Sequence, residues 1–270
     1  MKLSSLAVLA ISAAAGVLPS PAQAWGGTAQ RLILLEAIES LPKGPREFYK
    51  THRLELPTLA PDGQPPEDTA ERRFAIDRLV AFPFRDVPLT EEGFKARFGE
   101  EGAQVGRLPW LVQASYARLV EAFKSGDRER ILAESDMLAY LVAQLDNPLA
   151  LTDNGDGQKT GQHGLWARFT VRLPEAMEAR LKLQAEAARY LDEPLRYVGE
   201  MAAGSYIWLD NLLYEEALAR RGQAGYTELY YEALERRAGR LLRERLGAAA
   251  TDVGSYWYTA WSAAGRPVVK

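Results

Sequence analysis

Side chains that hold metals or act as acids, bases and nucleophiles are unevenly supplied in these 270 residues: there are two histidines, His52 and His163, no cysteine, and 36 aspartates and glutamates. Two imidazoles cannot build a histidine-rich metal cluster. Absence of cysteine excludes disulfides, thiol catalysis and thiolate-bound metal. Neither histidine is placed for a metal pair: Ala167 stands four residues after His163, and His52 lies among Thr51, Arg53 and Leu54 with no carboxylate one turn ahead. There is no Gly-x-Ser-x-Gly elbow for a catalytic serine and no glycine-rich phosphate loop ending in Lys-Ser/Thr. Thr152-x-Asn154-x-Asp156-Gly157 has part of a calcium-loop pattern, but its first and twelfth positions, which need Asp and Glu, are Thr152 and His163. The segment reads as a turn-rich loop held by side-chain-to-backbone bonds, with Gly155 and Gly157 supplying unusual dihedrals.

Thirty-three basic residues against 36 acidic ones give a net charge of −3, which excludes a generally basic nucleic-acid-binding surface. With 47% hydrophobic and 26% charged residues, the composition is that of an ordinary globular protein with enough apolar side chain for one large core. The elements that must position any site are helical. Thr28 can cap a helix with Leu32, Leu35, Ile38 and Leu41 at helical spacing, stopped by Pro42-Lys43-Gly44-Pro45. Prolines make a loop of Leu56–Asp68, and Pro83 and Pro88 mark a second irregular stretch. Pro109 suits the first turn of a helix through Phe123, with Leu111, Tyr116, Leu119 and Phe123 near one face. Asp127 can cap the next helix, whose apolar side is Ile131, Leu138, Leu141, Val142 and Leu145, ending near Asn147-Pro148. A polar loop, Thr152–Gln162, precedes helical runs over Gly164–Leu191, Pro194–Arg221 and Thr227–Leu246, then an aromatic-rich segment over Thr251–Ala264. No alternating strand pattern, internal repeat or composition break appears, so the expectation is one all-α domain over 25–270.

Met1–Ala24 reads as a secretory signal peptide. It has Lys2 at its positive end, an apolar run of 13 residues from Leu6 to Leu18, and the small-x-small site Ala22-Gln23-Ala24 before Trp25. The run is short of the roughly 20 residues that cross a bilayer, and no later stretch is long and apolar enough. Cleavage after Ala24 removes one basic group and leaves a net charge of −4. The expected product is an exported protein, periplasmic or secreted, and monomeric by default.

One stretch is specific: Tyr140-Leu-Val-Ala-Gln144-Leu-Asp146-Asn-Pro148-Leu149-Ala150, then Asp153-Asn154-Gly155-Asp156-Gly157-Gln158-Lys-Thr160-Gly161-Gln162-His163-Gly164-Leu165-Trp166. It resembles the core motif of the superfamily that joins zinc-dependent phospholipase C to the single-strand-specific zinc nucleases. Phe98-Gly99, Leu108-Pro109-Trp110 and Tyr116-x-x-Leu-Val-Glu-Ala-Phe123 are similar to its middle helices, and Gly254–Trp261 followed by Gly265-Arg266-Pro267 to its C-terminal helix. Trp25, first after the cleavage site, is the residue used there in that family. The resemblance implies an all-helical exported fold of the phospholipase C and nuclease type. It also implies three zinc ions that hydrolyse phosphodiesters, held by imidazoles, carboxylates and the N-terminal Trp.

Position by position, the ligands are missing. Tyr140 and Gln144 replace the family's His-x-x-x-Asp, Ala150 replaces the His that ends the turn, and Trp166 and Thr170 replace the next helix's His and carboxylate. Gln30 replaces the early His. In Arg72-Arg73-Phe74-Ala75-Ile76-Asp77, which resembles a His-Tyr-Phe-Asp-Ile-Asp element, Arg72 and Ala75 replace His and the first Asp; Asp62 is a candidate for the remaining loop carboxylate. A guanidinium is essentially always charged, so Arg72 opposes a cation there and makes a candidate anion site. The former metal positions are thus Trp25, Gln30, Arg72, Tyr140, Gln144, Ala150, Trp166 and Thr170, and the family's zinc is expected to be lost, leaving no cofactor and no catalytic residue to assign.

The expected function is that of a pseudo-hydrolase that binds a ligand or partner, such as an anionic small molecule or an envelope protein, without cutting it. The alternative is a hydrolase acting on phosphodiester bonds of phospholipids or single-stranded nucleic acid with metal bound differently. A third reading is a partner-binding module using Thr152–Gln162 or the aromatic C-terminal segment. Tyr226, Tyr230 and Tyr231, and Trp257 with Trp261, could stack on bases, but aromatics at this spacing read better as packing. Arg236, Arg237, Arg240, Arg243 and Arg245 stand among Glu232, Glu235 and Glu244 and read as an ion-paired helix surface.

Overall fold

A computed structural model describes residues 25–67 and 69–269; the expected signal peptide 1–24 and its expected cleavage after Ala24 lie outside the described residues, as does Asp68, the end of the first proline-rich loop. The longest element is α10, Glu228–Ala263, a helix of 36 residues or about 54 Å. Around it lie α1 (Gly27–Ser40), α2 (Lys43–His52), α3 (Glu91–Ala103), α4 (Leu108–Ser125), α5 (Arg128–Leu145), α8 (Pro194–Tyr206) and α9 (Leu209–Arg220). A broken helix comprises α6 (Leu165–Ala167), a π-helical stretch (Arg168–Arg172) and α7 (Leu173–Met177). Among the described residues there is no strand, and no helix is long and apolar enough to cross a membrane. The fold is a single all-helical domain.

The α4–α5 hairpin forms where its sequence dictates. Pro109 occupies the first turn of α4, Gly126 takes the left-handed conformation (φ 69°) that ends it, and the Asp127 carboxylate accepts the Arg130 N–H at 3.1 Å to start α5. All five expected apolar positions of α5 are buried, and its second half is buried on every side because α1, α4, α8 and α10 surround it. Tyr49 of α2 stacks on Trp257 of α10 at 4.4 Å. The Tyr49 hydroxyl meets Ser135 Oγ at 2.7 Å while the Trp257 Nε1–H donates to the Ser135 carbonyl at 3.0 Å, so both polar ends are satisfied inside the core.

Several expectations need correction. The N-cap of α1 is Gly26, Thr28 lies within the helix, and its buried face is Ile33, Leu34, Ala37 and Ile38, with Leu35 exposed. Pro42-Lys43-Gly44-Pro45 interrupts the chain only at Leu41–Pro42, since Pro45 fits the first turn of α2. The runs 227–246 and 251–264 are one helix, α10, and 194–221 is two, broken at Ile207–Trp208. Helix α3, which opens where Thr90 Oγ1 accepts the Gly93 N–H, carries no strong periodic signal and is bent at Gly99 (φ 55°).

The largest departure is 181–193, where a helix-favouring sequence runs extended along α10. Thr251, Ser255 and Thr259, spaced four apart on one face of α10, accept the N–H groups of Glu186 (2.9 Å), Arg189 (3.2 Å) and Leu191 (2.9 Å). From the other side, Glu36 Oε1 accepts from Ala185 N–H and the Ser40 carbonyl from Ala188 N–H. Gly247 and Gly254 permit the approach: a Cβ at Gly247 would stand 2.8 Å from the Gln184 carbonyl oxygen, and one at Gly254 2.1 Å from Ser40 Oγ. Five backbone donors thus find tertiary acceptors, which offsets the helical bonds forgone. Thr259→Val keeps the shape but leaves the buried Leu191 N–H without its acceptor; a loss of about 1–3 kcal/mol in urea denaturation, with faster hydrogen exchange at Leu191, is the expected result.

Candidate functional site

Several of the positions that the resemblance singles out are joined by contacts; among the described residues the Gln30 side chain has no hydrogen bond to the others. Trp25 is fully buried; its Nε1–H donates to the Ala143 carbonyl at 2.8 Å, one residue before Gln144, and its ring lies 5.8 Å from Phe169. The next residue, Gly26, donates its N–H to the Thr170 carbonyl at 3.0 Å, so the N-terminal segment is docked on α5 and on the π stretch at once. Tyr140 and Gln144 stand one turn apart on α5, with Gln144 Nε2 3.5 Å from the Tyr140 hydroxyl. The Ala150 carbonyl accepts the Phe74 N–H at 2.8 Å, which brings residues 72–74 against the end of α5. There the Arg72 guanidinium lies 5.2 Å from the Tyr140 ring centre and donates to the Glu67 carbonyl, while Arg73 covers Trp166 at 4.1 Å. Trp166 and Thr170 are fully buried on one face of the broken helix, and Thr170 Oγ1 donates to the Trp166 carbonyl.

This donor set does not fit zinc. A hydrolytic centre needs neutral imidazoles and carboxylates at about 2.0–2.2 Å; the converging groups are an indole pair, a phenol, two amides, a methyl, a hydroxyl and two guanidinium groups. Among the described residues no three His, Cys, Asp or Glu lie together closely enough to hold a metal ion. Asp77 instead accepts from Thr152 Oγ1 (2.6 Å), Asp153 N–H (2.8 Å) and the Tyr206 hydroxyl (3.2 Å), and so fastens the 152–162 loop. Asp62 sits exposed in the 56–67 loop with φ 59°, away from this group. His52 does have a nearby carboxylate: Glu55, three residues on, approaches Nδ1 at 2.7 Å and its carboxyl is held below the usual range by that bond. The fourth-residue spacing examined in the sequence misses it because Arg53–Glu55 is a tight 3-10 turn. His163 is exposed, and its carbonyl accepts from Arg168.

The 152–162 loop is organised from inside. Asp156 accepts the N–H groups of Gly164 and Trp166 at 2.9 and 3.2 Å and so caps the broken helix; Asn154 Oδ1 accepts from Lys159 N–H. Gly157 has the expected left-handed φ of 72°. Gly155 does not: its need is close approach, since a Cβ would stand 2.6 Å from the Leu149 carbonyl oxygen. Behind the loop the Arg168 guanidinium, almost fully buried, donates to the carbonyls of Gln162 and His163, to the Tyr230 hydroxyl and to Glu216 at 2.9 Å. Glu216 also accepts from Tyr230 (2.8 Å) and Gln162 Nε2 (2.6 Å). Burial and Glu216 together push the Tyr230 phenol well up. Sequence reasoning had placed Tyr230 in a packing stripe, which holds, but gave no sign of this pair, because its members stand 48 residues apart.

A second buried cluster was also missed. Asp146, just past α5, shares a hydrogen bond with Asp252 of α10, and Arg245 stands 3.7 Å from Asp146. The Tyr197 hydroxyl donates to Asp252 at 2.6 Å and accepts from Arg189. Burial raises both carboxyls, Asp252 to about 6, so the pair retains a proton where isolated aspartates have lost theirs. Asp136, enclosed near α2 and bonded twice by Thr58, is likewise lifted to about 6 by burial. On the surface, Arg180–Glu235, Arg237–Glu215, Arg236–Glu232 and Arg240–Glu244 form the ion-paired ridge expected there; Arg245 alone of that run turns inward.

Compared with family models and with curated proteins, the chain gives no match. Two measurements probe the geometry. Neither amide atom of Gln30, and not Gln144 Oε1, meets a hydrogen-bond partner among the described residues, although both side chains are buried. Gln30→Met, which removes an uncompensated buried amide at similar volume, should therefore raise the denaturation midpoint by up to about 1–3 kcal/mol equivalent. For pH, Asp136 and Asp252 bind protons more tightly folded than unfolded. Their contribution is complete below the unfolded value near 3.8 and is lost as pH rises through about 6. Glu91, held near 2 by Arg107 and Lys95, acts oppositely but only as pH falls below its ordinary 4.5. Thermal stability should decline from pH 5 to pH 7.5, and Asp252→Asn should flatten that decline.

Proposed function

We propose that this chain is an exported, degenerate relative of the zinc-dependent phospholipase C and nuclease superfamily, a pseudo-hydrolase that works by binding. The observation that carries the reading is the closure around Trp25. Trp25 docks on α5 and Gly26 on Thr170, and the buried Tyr140, Gln144 and Trp166 bring phenol, amide and indole where the resemblance calls for metal donors, which supports the reading. Arg72 adds a fixed positive charge at that place. It is engaged by the Tyr140 ring and the Glu67 carbonyl, which weakens its candidacy as an anion site. Without divalent ions the field that would hold and polarise a phosphodiester is gone.

Of the aromatic groups expected to pack, Trp257 and Tyr230 are fully buried, whereas Tyr226 is 44% exposed, with the Arg168 guanidinium 3.9 Å from its ring centre. The direct check is elemental analysis of the purified protein together with hydrolysis of bis-p-nitrophenyl phosphate. Less than one zinc per chain and no chelator-sensitive turnover are expected. Two or three tightly held zincs, with turnover abolished by chelator, would replace the binding reading with that of a hydrolase acting on phospholipids or single-stranded nucleic acid.

A further inference from the structure

A cleft of about 490 Å³ opens between residues 83–89, the start of α4 and one face of α8. None of the eight former metal positions lines it, although Phe74, whose N–H bonds the Ala150 carbonyl, does. Its floor is Phe74 and Trp110, whose rings meet edge-on at 5.8 Å and 88°. On the opposite wall α8 contributes Gly199, Ala202 and Ala203, small residues that leave space there, beside Leu195, Val198, Arg196 and Glu200. A Cβ built on Gly199 would meet nothing within 4 Å. Pro83, Pro88 and Pro109 stiffen the edges. Size and lining match a preformed site for a small molecule.

The loop on one side is strained. Phe84 and Asp86 both adopt positive φ, 59° and 63°; Asp tolerates this readily, but for the bulky Phe84 it costs energy that the surroundings must offset. Tyr206 holds the Phe84 ring edge-on at 4.8 Å, and Arg97 donates to the Asp86 carbonyl. These contacts thus keep Asp86 at the cleft.

The polarity of the cleft is one-sided. The two uncharged donors, Trp110 Nε1–H and Gln113 Nε2–H, both point at the Leu89 carbonyl, at 3.3 and 3.5 Å. Three charged residues line it, two carboxylates (Asp86 and Glu200) against one guanidinium (Arg196), and Arg196 Nη1 lies 3.4 Å from Glu193 on the exposed surface beside it. What the cleft offers a ligand is therefore apolar ring surface and negative charge. We propose that it binds a small apolar molecule carrying one cationic group, an amine or quaternary ammonium, with its apolar body on Phe74 and Trp110 and its cation toward Asp86 and Glu200. Aromatic faces add to such recognition. The assignment rests on the binding reading above and gives it a site and a ligand class.

Isothermal titration with three probes of equal tail, hexyltrimethylammonium, hexyl sulfate and hexanol, tests it. The ammonium should bind at least about tenfold more tightly than the sulfate, a preference that salt weakens because the carboxylates are exposed. Gly199→Phe, which fills the open wall, should abolish binding. Gly204→Phe, on the same helix with equally open space and outside the cleft, should leave it intact and shows that α8 tolerates the change. Asp86→Asn with Glu200→Gln should erase the preference between ammonium and sulfate. Equal binding of the two charged probes to the unaltered protein would overturn the ligand class. Absence of binding, or binding that survives Gly199→Phe, would overturn the site. Zinc content and hydrolysis are unaffected by any of these results, so failure of the broader reading would be recognised separately.

Discussion

One buried cation holds the loop-bearing half of this molecule in place. Arg168 stands at the start of the π-helical stretch, and its guanidinium joins the end of the 152–162 loop, α9 through Glu216 and α10 through Tyr230. Burial of the pair is sustainable because every oxygen of Glu216 has a donor and Arg168 reaches four separate acceptors. A buried ion pair contributes little net stability, but loss of either member strands the other charge. Its main physical consequence is geometric. The same π stretch that presents Arg168 to α9 turns the Thr170 carbonyl toward Gly26, so the dock for the N-terminal segment and the loop anchor share one irregular helix.

That irregularity also decides how much was legible. Capping residues and apolar spacing located α4 and α5 well, because Pro109, Gly126 and Asp127 act within a turn of themselves. The proline-rich loops were equally local. What failed was the run Gly164–Leu191, read as one helix from its Leu, Ala and Glu content. The chain leaves the helix at Met177 because α10 supplies, from residues 65 to 68 positions away, a row of hydroxyl acceptors, and two glycines that let a backbone approach. Helix propensity of a few tenths of a kilocalorie per residue cannot outweigh acceptors of that kind. In hindsight Gly247, Thr251, Gly254, Ser255 and Thr259 on one face were a signal: a stripe too small and polar to be ordinary helix-packing surface.

The candidate site was legible as positions but not as contacts. Tyr140, Gln144, Ala150, Trp166 and Thr170 could be named only through the resemblance, and the contacts that Trp25 and Gly26 make with Ala143, Phe169 and Thr170 had no sequence signal. Arg73, which covers Trp166, was passed over for its neighbour Arg72, since spacing within a loop does not tell which of two adjacent guanidinium groups faces inward. The Arg168–Glu216 and Asp146–Asp252 pairs left no trace in the sequence because each joins elements that meet only through the tertiary fold. The cleft beside α8 was invisible for a different reason: its walls are ordinary prolines, alanines and aromatics, and concavity is a property of how they are spaced in three dimensions.

Shifted carboxyls often mark catalytic centres, so their neighbours matter here. Asp136 receives two bonds from Thr58, and Asp252 is bonded by Tyr197 and shares a proton with Asp146. Both are nearly closed off from solvent and belong to junctions between elements, α5 with the 56–60 turn and α10 with α8. An acid or base in a reaction must meet substrate as well as hold its proton, and these two meet only their own fold. Of the acidic residues, Asp86 and Glu200 line the cleft beside α8, next to its aromatic and proline walls. In the binding role proposed above, such an arrangement would distinguish ligands by charge and shape. Its selectivity then depends on how rigidly the strained 84–86 backbone holds one carboxylate in register with the other on α8.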